Sequence, residues 1–129
     1  MDARLPDPPK VILVDDDAAL LRALGFSLEL EGFVVDKHRS AATVKADDLP
    51  KKNACLVIDY YLPGQTGLQL LQSLRDDGVD LPAIVITSHA RPVLHSLAER
   101  TGASIIEKPL IGPALSSEIH ALLKAALTN

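Results

Sequence analysis

The sequence predicts an α/β fold, a doubly wound five-stranded parallel sheet with helices on both faces. Three observations carry that prediction. Short apolar runs rich in Val and Ile alternate along the chain with helix-like segments, five times in succession. The strongest of these runs are almost uninterrupted by polar residues, as strands buried on both faces are. Glycines close several of the helical stretches, and right-handed crossovers between parallel strands distribute those helices over both faces.

The elements follow in order. Residues 1–9 hold three prolines and few apolar partners, so they read as a flexible leader, and the domain proper spans 10–129. Val11-Ile12-Leu13-Val14 is the first strand and runs into Asp15-Asp16-Asp17. Leu20, Leu21, Leu24 and Leu28 make a helical stripe over Ala18 to Glu31, with Gly32 as its stop. Phe33-Val34-Val35-Asp36 is a weaker strand, and Ala41 to about Ala46 is expected to be a short helix capped by Ser40. Cys55 to Ile58 forms the third strand, ending at Asp59, and Pro63-Gly64 marks a turn. Leu68, Leu71 and Leu74 line a helix from Gly67 to Arg75, closed by Gly78; Ala83-Ile84-Val85-Ile86 is the fourth strand and ends at Thr87. Pro92 suits the first turn of a helix reaching Arg100, before Gly102. The last unit is Ser104-Ile105-Ile106-Glu107, then Lys108-Pro109, then a helix from about Pro113 to Leu127 whose Leu115, Ile119, Leu122 and Leu123 pack on the sheet.

Composition narrows the function classes. No apolar run approaches the ~20 residues of a membrane span, and the N-terminus lacks the apolar core of a secretory signal, so a cytoplasmic location is expected. The 13 basic and 17 acidic residues give a net charge of −4, with the basic residues scattered, which leaves no nucleic-acid footprint. The single cysteine, Cys55, cannot form an internal disulfide and lies within an apolar strand, so it reads as a buried small hydrophobe.

In an open parallel sheet the site lies beyond the carboxyl ends of the strands. Those ends carry Asp15, Asp16 and Asp17, then Asp59, Thr87 and Lys108. Taken singly, each has an ordinary reading: a helix N-terminus, a turn residue, a strand-end hydroxyl, an exposed lysine. Their shared position at strand ends overturns those readings. Crowded carboxylates raise one another's pKa unless a cation neutralises them, and oxygen-only donors favour Mg²⁺ (or Mn²⁺) over Zn²⁺. A lysine and a hydroxyl beside such an ion suit a phosphoryl group. There is no Gly-x-x-x-x-Gly-Lys-Ser/Thr loop, which leaves a carboxylate nucleophile forming an aspartyl phosphate as the economical chemistry.

Four segments, Val11-Ile12-Leu13-Val14-Asp15-Asp16-Asp17, Leu56-Val57-Ile58-Asp59-Tyr60-Tyr61-Leu62-Pro63-Gly64, Ile84-Val85-Ile86-Thr87-Ser88 and Glu107-Lys108-Pro109, stand in an order and spacing that resembles the receiver domains of two-component response regulators. The resemblance covers about residues 10–127 and implies a flavodoxin-like fold with strand order 2-1-3-4-5. It implies that Asp59 accepts a phosphoryl group from a phosphohistidine on a sensor histidine kinase or phosphotransfer protein. It further implies that Asp16, Asp59 and the backbone carbonyl of Tyr61 ligate Mg²⁺, with Asp15 acting through a bound water. Lys108 would pair with the phosphoryl group, Thr87 would bond to it as a switch, and Lys108-Pro109 would be cis. The pattern departs from the family at Ile105, where a Tyr or Phe usually follows the threonine, and the segment from Gly102 to Lys108 is one residue short. The resemblance assigns Asp17 no chemical role.

Two rival functions remain. Asp15-x-Asp17 after the first strand is similar to the opening of haloacid dehalogenase-type phosphatases, although Ala19 replaces the expected hydroxylic residue and the chain has no room for a cap domain. The other rival is a phosphorylation-independent interaction module. His38, His89, His95 and His120 are separated in sequence and read as surface residues rather than metal ligands, with His89 bordering the site. No effector domain fits after Leu127, so the chain is expected to be a stand-alone receiver or a segment of a longer regulator, its output partner unknown.

Overall fold

The computed structural model of the chain describes residues 7–110 and 112–127. Five parallel strands form one sheet: β1 (Lys10–Val14), β2 (Val34–His38), β3 (Ala54–Asp59), β4 (Ala83–Thr87) and β5 (Ala103–Glu107), in the order β2-β1-β3-β4-β5. Four α-helices connect or follow them: α1 (Ala18–Leu30), α2 (Gly67–Asp76), α3 (Pro92–Arg100) and α4 (Ala114–Leu127). This is the expected doubly wound sheet with the expected strand order.

Alternation along each strand divides the interior in two. Ile12, Val14, Leu56, Ile58 and Val85 face one side, where Leu71 and Leu74 of α2 and Leu94 and Ala98 of α3 cover them. Val11, Leu13, Cys55, Val57, Ile84 and Ile86 face the other, under Leu21 and Leu28 of α1 and Leu115 and Ile119 of α4. Successive side chains of a strand point to opposite faces, so a strand in the middle of such a sheet must be apolar throughout. All six residues of β3 are buried for that reason.

Two expectations are corrected. The helix expected over Ala41 to Ala46 is replaced by two 3₁₀ turns, Ala41–Thr43 and Ala46–Asp48, so the second crossover has no α-helix. A stretch this short is far below the length at which a helix sustains itself. Ala41 and Val44, three residues apart, are both buried, and a three-residue period suits the tighter turn. Ser40 still caps it, its hydroxyl accepting from the Ala42 amide at 3.1 Å. The second strand also sits further along than Phe33 to Asp36: Phe33 is core, and its amide donates to the Leu28 carbonyl at the end of α1. The strand continues through Lys37 and His38, opposite Leu13 and Val14.

The turn at Pro63-Gly64 closes a small hairpin of Tyr61–Leu62 on Gln65–Thr66, with Gly64 at a φ of +83°. Thr66 and Gln69 form a reciprocal capping box that starts α2. Of the leader, residues 1–6 lie outside the described residues. The Pro9 carbonyl accepts from the Val34 amide at 3.0 Å, and the Asp7 carbonyl from Asn53 Nδ2 at 3.2 Å. Among the described residues no helix is long and apolar enough to cross a membrane.

Candidate functional site

The parallel ladders run one residue past the strands, and those extra bonds assemble the site. The Asp15 amide donates to the His38 carbonyl at 3.0 Å, the Tyr60 amide to the Ile86 carbonyl at 2.8 Å, and the Lys108 amide to the Thr87 carbonyl at 2.8 Å. Asp15, Asp59, Thr87 and Lys108 therefore converge at one edge of the sheet. Asp15 and Asp59 are buried, Thr87 is fully buried, and Asp16 is exposed beside them.

Carboxylate oxygens of Asp15, Asp16 and Asp59 lie within 4.8 Å of one another. One ammonium faces them: Lys108 Nζ is 3.3 Å from Asp59 Oδ1. That contact is an ion pair outside hydrogen-bond geometry, and Asp59 Oδ1 has no hydrogen-bond partner among the described residues. Burial pushes the Asp59 carboxyl above its ordinary range, the Asp15 charge pushes it further, and Lys108 offsets part of this. Burial also raises Asp15, opposed first by the Asp17 amide, which donates to Asp15 Oδ1 at 2.9 Å. Three crowded carboxylates, two of them out of water and one with an oxygen that accepts no hydrogen bond, make an oxygen-only donor set that fits a hard divalent cation.

Asp17 does not join the cluster. Its side chain caps α1, accepting from the amides of Ala19 at 3.0 Å and Leu20 at 3.2 Å, and so fixes the start of the helix that follows the acidic loop. The Thr87 hydroxyl is engaged in its own loop: it accepts from the His89 amide at 3.2 Å and donates to the His89 carbonyl at 3.5 Å. His89 therefore borders the site through its backbone. Tyr61 is half exposed in the hairpin, two residues past Asp59. Ile105 pairs with Val85 and packs against the core beneath α2 and α3. The Lys108-Pro109 peptide is cis.

Two neighbours of the site are not evident from residue type. Gly67 abuts β3 so closely that a Cβ there would lie 2.4 Å from the Asp59 carbonyl oxygen and 2.9 Å from Ile58 Cγ2. Its amide donates to the Tyr60 carbonyl at 2.7 Å. The capping pattern Thr66-Gly67-Leu68-Gln69 is the sequence signal that places this glycine at a helix start. The second neighbour is His38, held between Asp36 and Thr43 rather than loose on the surface.

Comparison with known proteins agrees with this geometry. The family model described as "Response regulator receiver domain" matches residues 11–120. The transcriptional regulatory protein FixJ of Azorhizobium caulinodans is 35% identical over 120 residues, covering 92% of this chain and 57% of its own length. The C4-dicarboxylate transport transcriptional regulatory protein DctD of Pseudomonas aeruginosa is 36% identical over 119 residues, which is 89% of this chain and 25% of that protein. The chain thus spans about half or less of the length of these curated relatives. The crystal structure of FixJ-N superposes with a TM-score of 0.81 at 32% identity, covering 92% of this chain and 96% of that one. With the family model matched over nearly the whole sheet and the same fold in a relative of this identity, the chain belongs to the response regulator receiver domains.

Proposed function

We propose that this domain is a phosphorylation-controlled signalling switch whose acceptor is Asp59 and whose phosphoryl donor is a phosphohistidine on a sensor histidine kinase or phosphotransfer protein. The observation that carries the reading is the buried Asp59 carboxylate, with Lys108 Nζ at 3.3 Å and carboxylate oxygens of Asp15 and Asp16 within 4.8 Å. In the transfer a carboxylate oxygen of Asp59 bonds to phosphorus as the nitrogen–phosphorus bond of the donor breaks, and the leaving imidazole nitrogen takes up a proton.

Asp16, Asp59 and the Tyr61 backbone carbonyl would hold Mg²⁺ (or Mn²⁺), with Asp15 acting through a water. When bound, the cation neutralises carboxylate charge and stabilises the negative charge of the transferring group. Lys108 pairs with a phosphoryl oxygen, exchanging part of its contact with Asp59 for the new anion. The Thr87 hydroxyl reaches that anion by giving up its 3.5 Å bond to the His89 carbonyl, the weakest polar contact it makes. That exchange draws the loop after β4 toward the site and biases the domain between two states. Ile105 brings no aromatic ring to follow the threonine, so the rearrangement is carried by aliphatic packing against α3. The downstream partner is a protein that binds the altered surface.

Incubation with Mg²⁺ and a small phosphodonor, followed by intact mass measurement, tests this. One added phosphoryl group, lost in Asp59→Asn and on chelation of Mg²⁺, is expected. Labelling that survives Asp59→Asn refutes the assignment, and multiple turnover of a phosphomonoester that depends on Asp15 but not Asp59 would favour a phosphatase instead.

A further inference from the structure

We propose that His38 is a positioning residue for the acidic end of the site, acting through the end of β2; this rests on the Mg²⁺ reading above. β2 is an edge strand, paired on one side only, and its last residue supplies the carbonyl that accepts the Asp15 amide at 3.0 Å. Edge-strand termini fray readily because few contacts hold them. Here the crossover that follows β2 is two 3₁₀ turns rather than a helix, and its buried Ala41, Val44 and Leu49 join a core cluster with Ile12 and Val14 of β1 that holds no residue of β2.

At the end of β2 itself the contact with this crossover is a polar latch. His38 Nε2 faces Asp36 Oδ2 at 3.1 Å and Nδ1 faces Thr43 Oγ1 at 2.7 Å. Thr43 Oγ1 also lies 3.1 Å from the Ser40 carbonyl, and the Ser40 hydroxyl caps the same turn. The imidazole, with its side chain only 15% exposed, thus ties the 3₁₀ turn back onto the strand that anchors Asp15. With the latch closed, the Asp15 amide keeps its acceptor, and the Asp15 and Asp16 carboxylates stay within reach of Asp59. With the latch open, the end of β2 frays and the two carboxylates lose their fixed placement. The outcome is weaker cation binding at unchanged chemistry, as for other groups that orient a metal's ligands without touching it.

The test uses His38→Leu, Thr43→Val and the double variant. Thr43 is exposed, so Thr43→Val keeps the fold if His38→Leu does not. Mg²⁺ affinity is read from tyrosine fluorescence, since the chain has no tryptophan and Tyr60 and Tyr61 directly follow Asp59. Phosphorylation by a small phosphodonor gives the Mg²⁺ concentration for half-maximal rate and the rate at saturation. Exchange of the Asp15 amide, followed by NMR, reports the anchor directly. Each single variant is expected to weaken Mg²⁺ binding about three- to tenfold. The double variant should be no weaker than the worse single one, the saturated rate should hold within about twofold, and the Asp15 amide should exchange faster. Wild-type Mg²⁺ affinity and wild-type Asp15 exchange in both single variants overturn the proposal, as does a loss confined to the saturated rate. A wild-type protein that binds no Mg²⁺ overturns the metal reading itself, and the proposal with it.

Discussion

Replacing Gly67 with alanine tests whether the start of α2 and β3 are in contact as closely as the structure places them. The added Cβ meets the Asp59 carbonyl oxygen at 2.4 Å, Ile58 Cγ2 at 2.9 Å and the Asp59 carbonyl carbon at 3.1 Å. Relief requires α2 and β3 to separate by about 1 Å, because the nearest atom is backbone and cannot rotate away. Overpacking of this kind costs about 1–3 kcal/mol, and stretching the 2.7 Å bond from the Gly67 amide to the Tyr60 carbonyl adds about 1 kcal/mol. Alanine's better helix propensity returns at most about 1 kcal/mol. The net loss is therefore about 1–4 kcal/mol, which for a domain of this size lowers Tm by roughly 3–20 °C. Thermal denaturation followed by circular dichroism measures it. The same displacement moves Asp59, the proposed acceptor, so phosphorylation by a small donor at saturating Mg²⁺ should slow at least about tenfold at temperatures where the variant is folded. Gly25→Ala is the control, since there the atoms nearest the Cβ belong to the flexible Lys37 side chain, the first at 3.0 Å, and stability should hold or rise. A Gly67→Ala protein within about 2 °C of wild type, phosphorylated at the wild-type rate, would refute the close approach.

Arg75 ties four carbonyls together: Nε donates to Thr101 at 2.9 Å, Nη1 to Val79 at 3.0 Å and Leu81 at 2.7 Å, and Nη2 to Gly102 at 3.2 Å. Arg75→Leu should cost about 2–4 kcal/mol in urea unfolding and Arg75→Lys should recover less than half, because an ammonium cannot reproduce the planar fork; equal stability of the lysine variant would contradict this. Asp59 and Asp15 carry carboxyls raised by burial first, so the folded state holds more protons than the unfolded chain at pH values from the ordinary 3.8 up to their raised values. Their contribution is most favourable below that window and falls as pH rises through it. Without divalent cation, Asp59→Asn should therefore gain stability relative to wild type as pH rises, and Mg²⁺ should narrow the gap at neutral pH; a gap independent of pH would count against it. The Cys55 thiol is pushed up to about 12, chiefly by burial and then by Glu118, so it should resist a thiol reagent at neutral pH until the protein is unfolded. Rapid labelling of the native protein would show that β3 opens.

The legible parts of this sequence were those in which one local pattern carries one structural consequence. β3 and β4 are read directly from Cys55-Leu56-Val57-Ile58 and Ala83-Ile84-Val85-Ile86, because only a strand buried on both faces needs such a run. The site follows from them: once those strands are parallel neighbours, Asp59 and Thr87 must share an edge, and Asp15 and Lys108 join them from β1 and β5. The edge strand and its crossover were harder to read, because half-buried β2 alternates weakly and the residues after it have competing local choices. Ala41 to Ala46 carries adequate helix formers, yet Val44 and Leu49 are drawn into the core at a spacing that an α-helix does not satisfy, and tertiary burial overrode propensity. The same override accounts for what the sequence hid at the site. Histidine at position 38 looks unremarkable when its neighbours are counted along the chain. Asp36 shares its strand face, but its second partner arrives only when a 3₁₀ turn brings Thr43 against the strand end. Gly67 is likewise one small residue among seven glycines until α2 docks on β3. Chemistry at the carboxyl edge is thus written in residue type and strand position, whereas the precision of its placement resides in contacts that only packing creates.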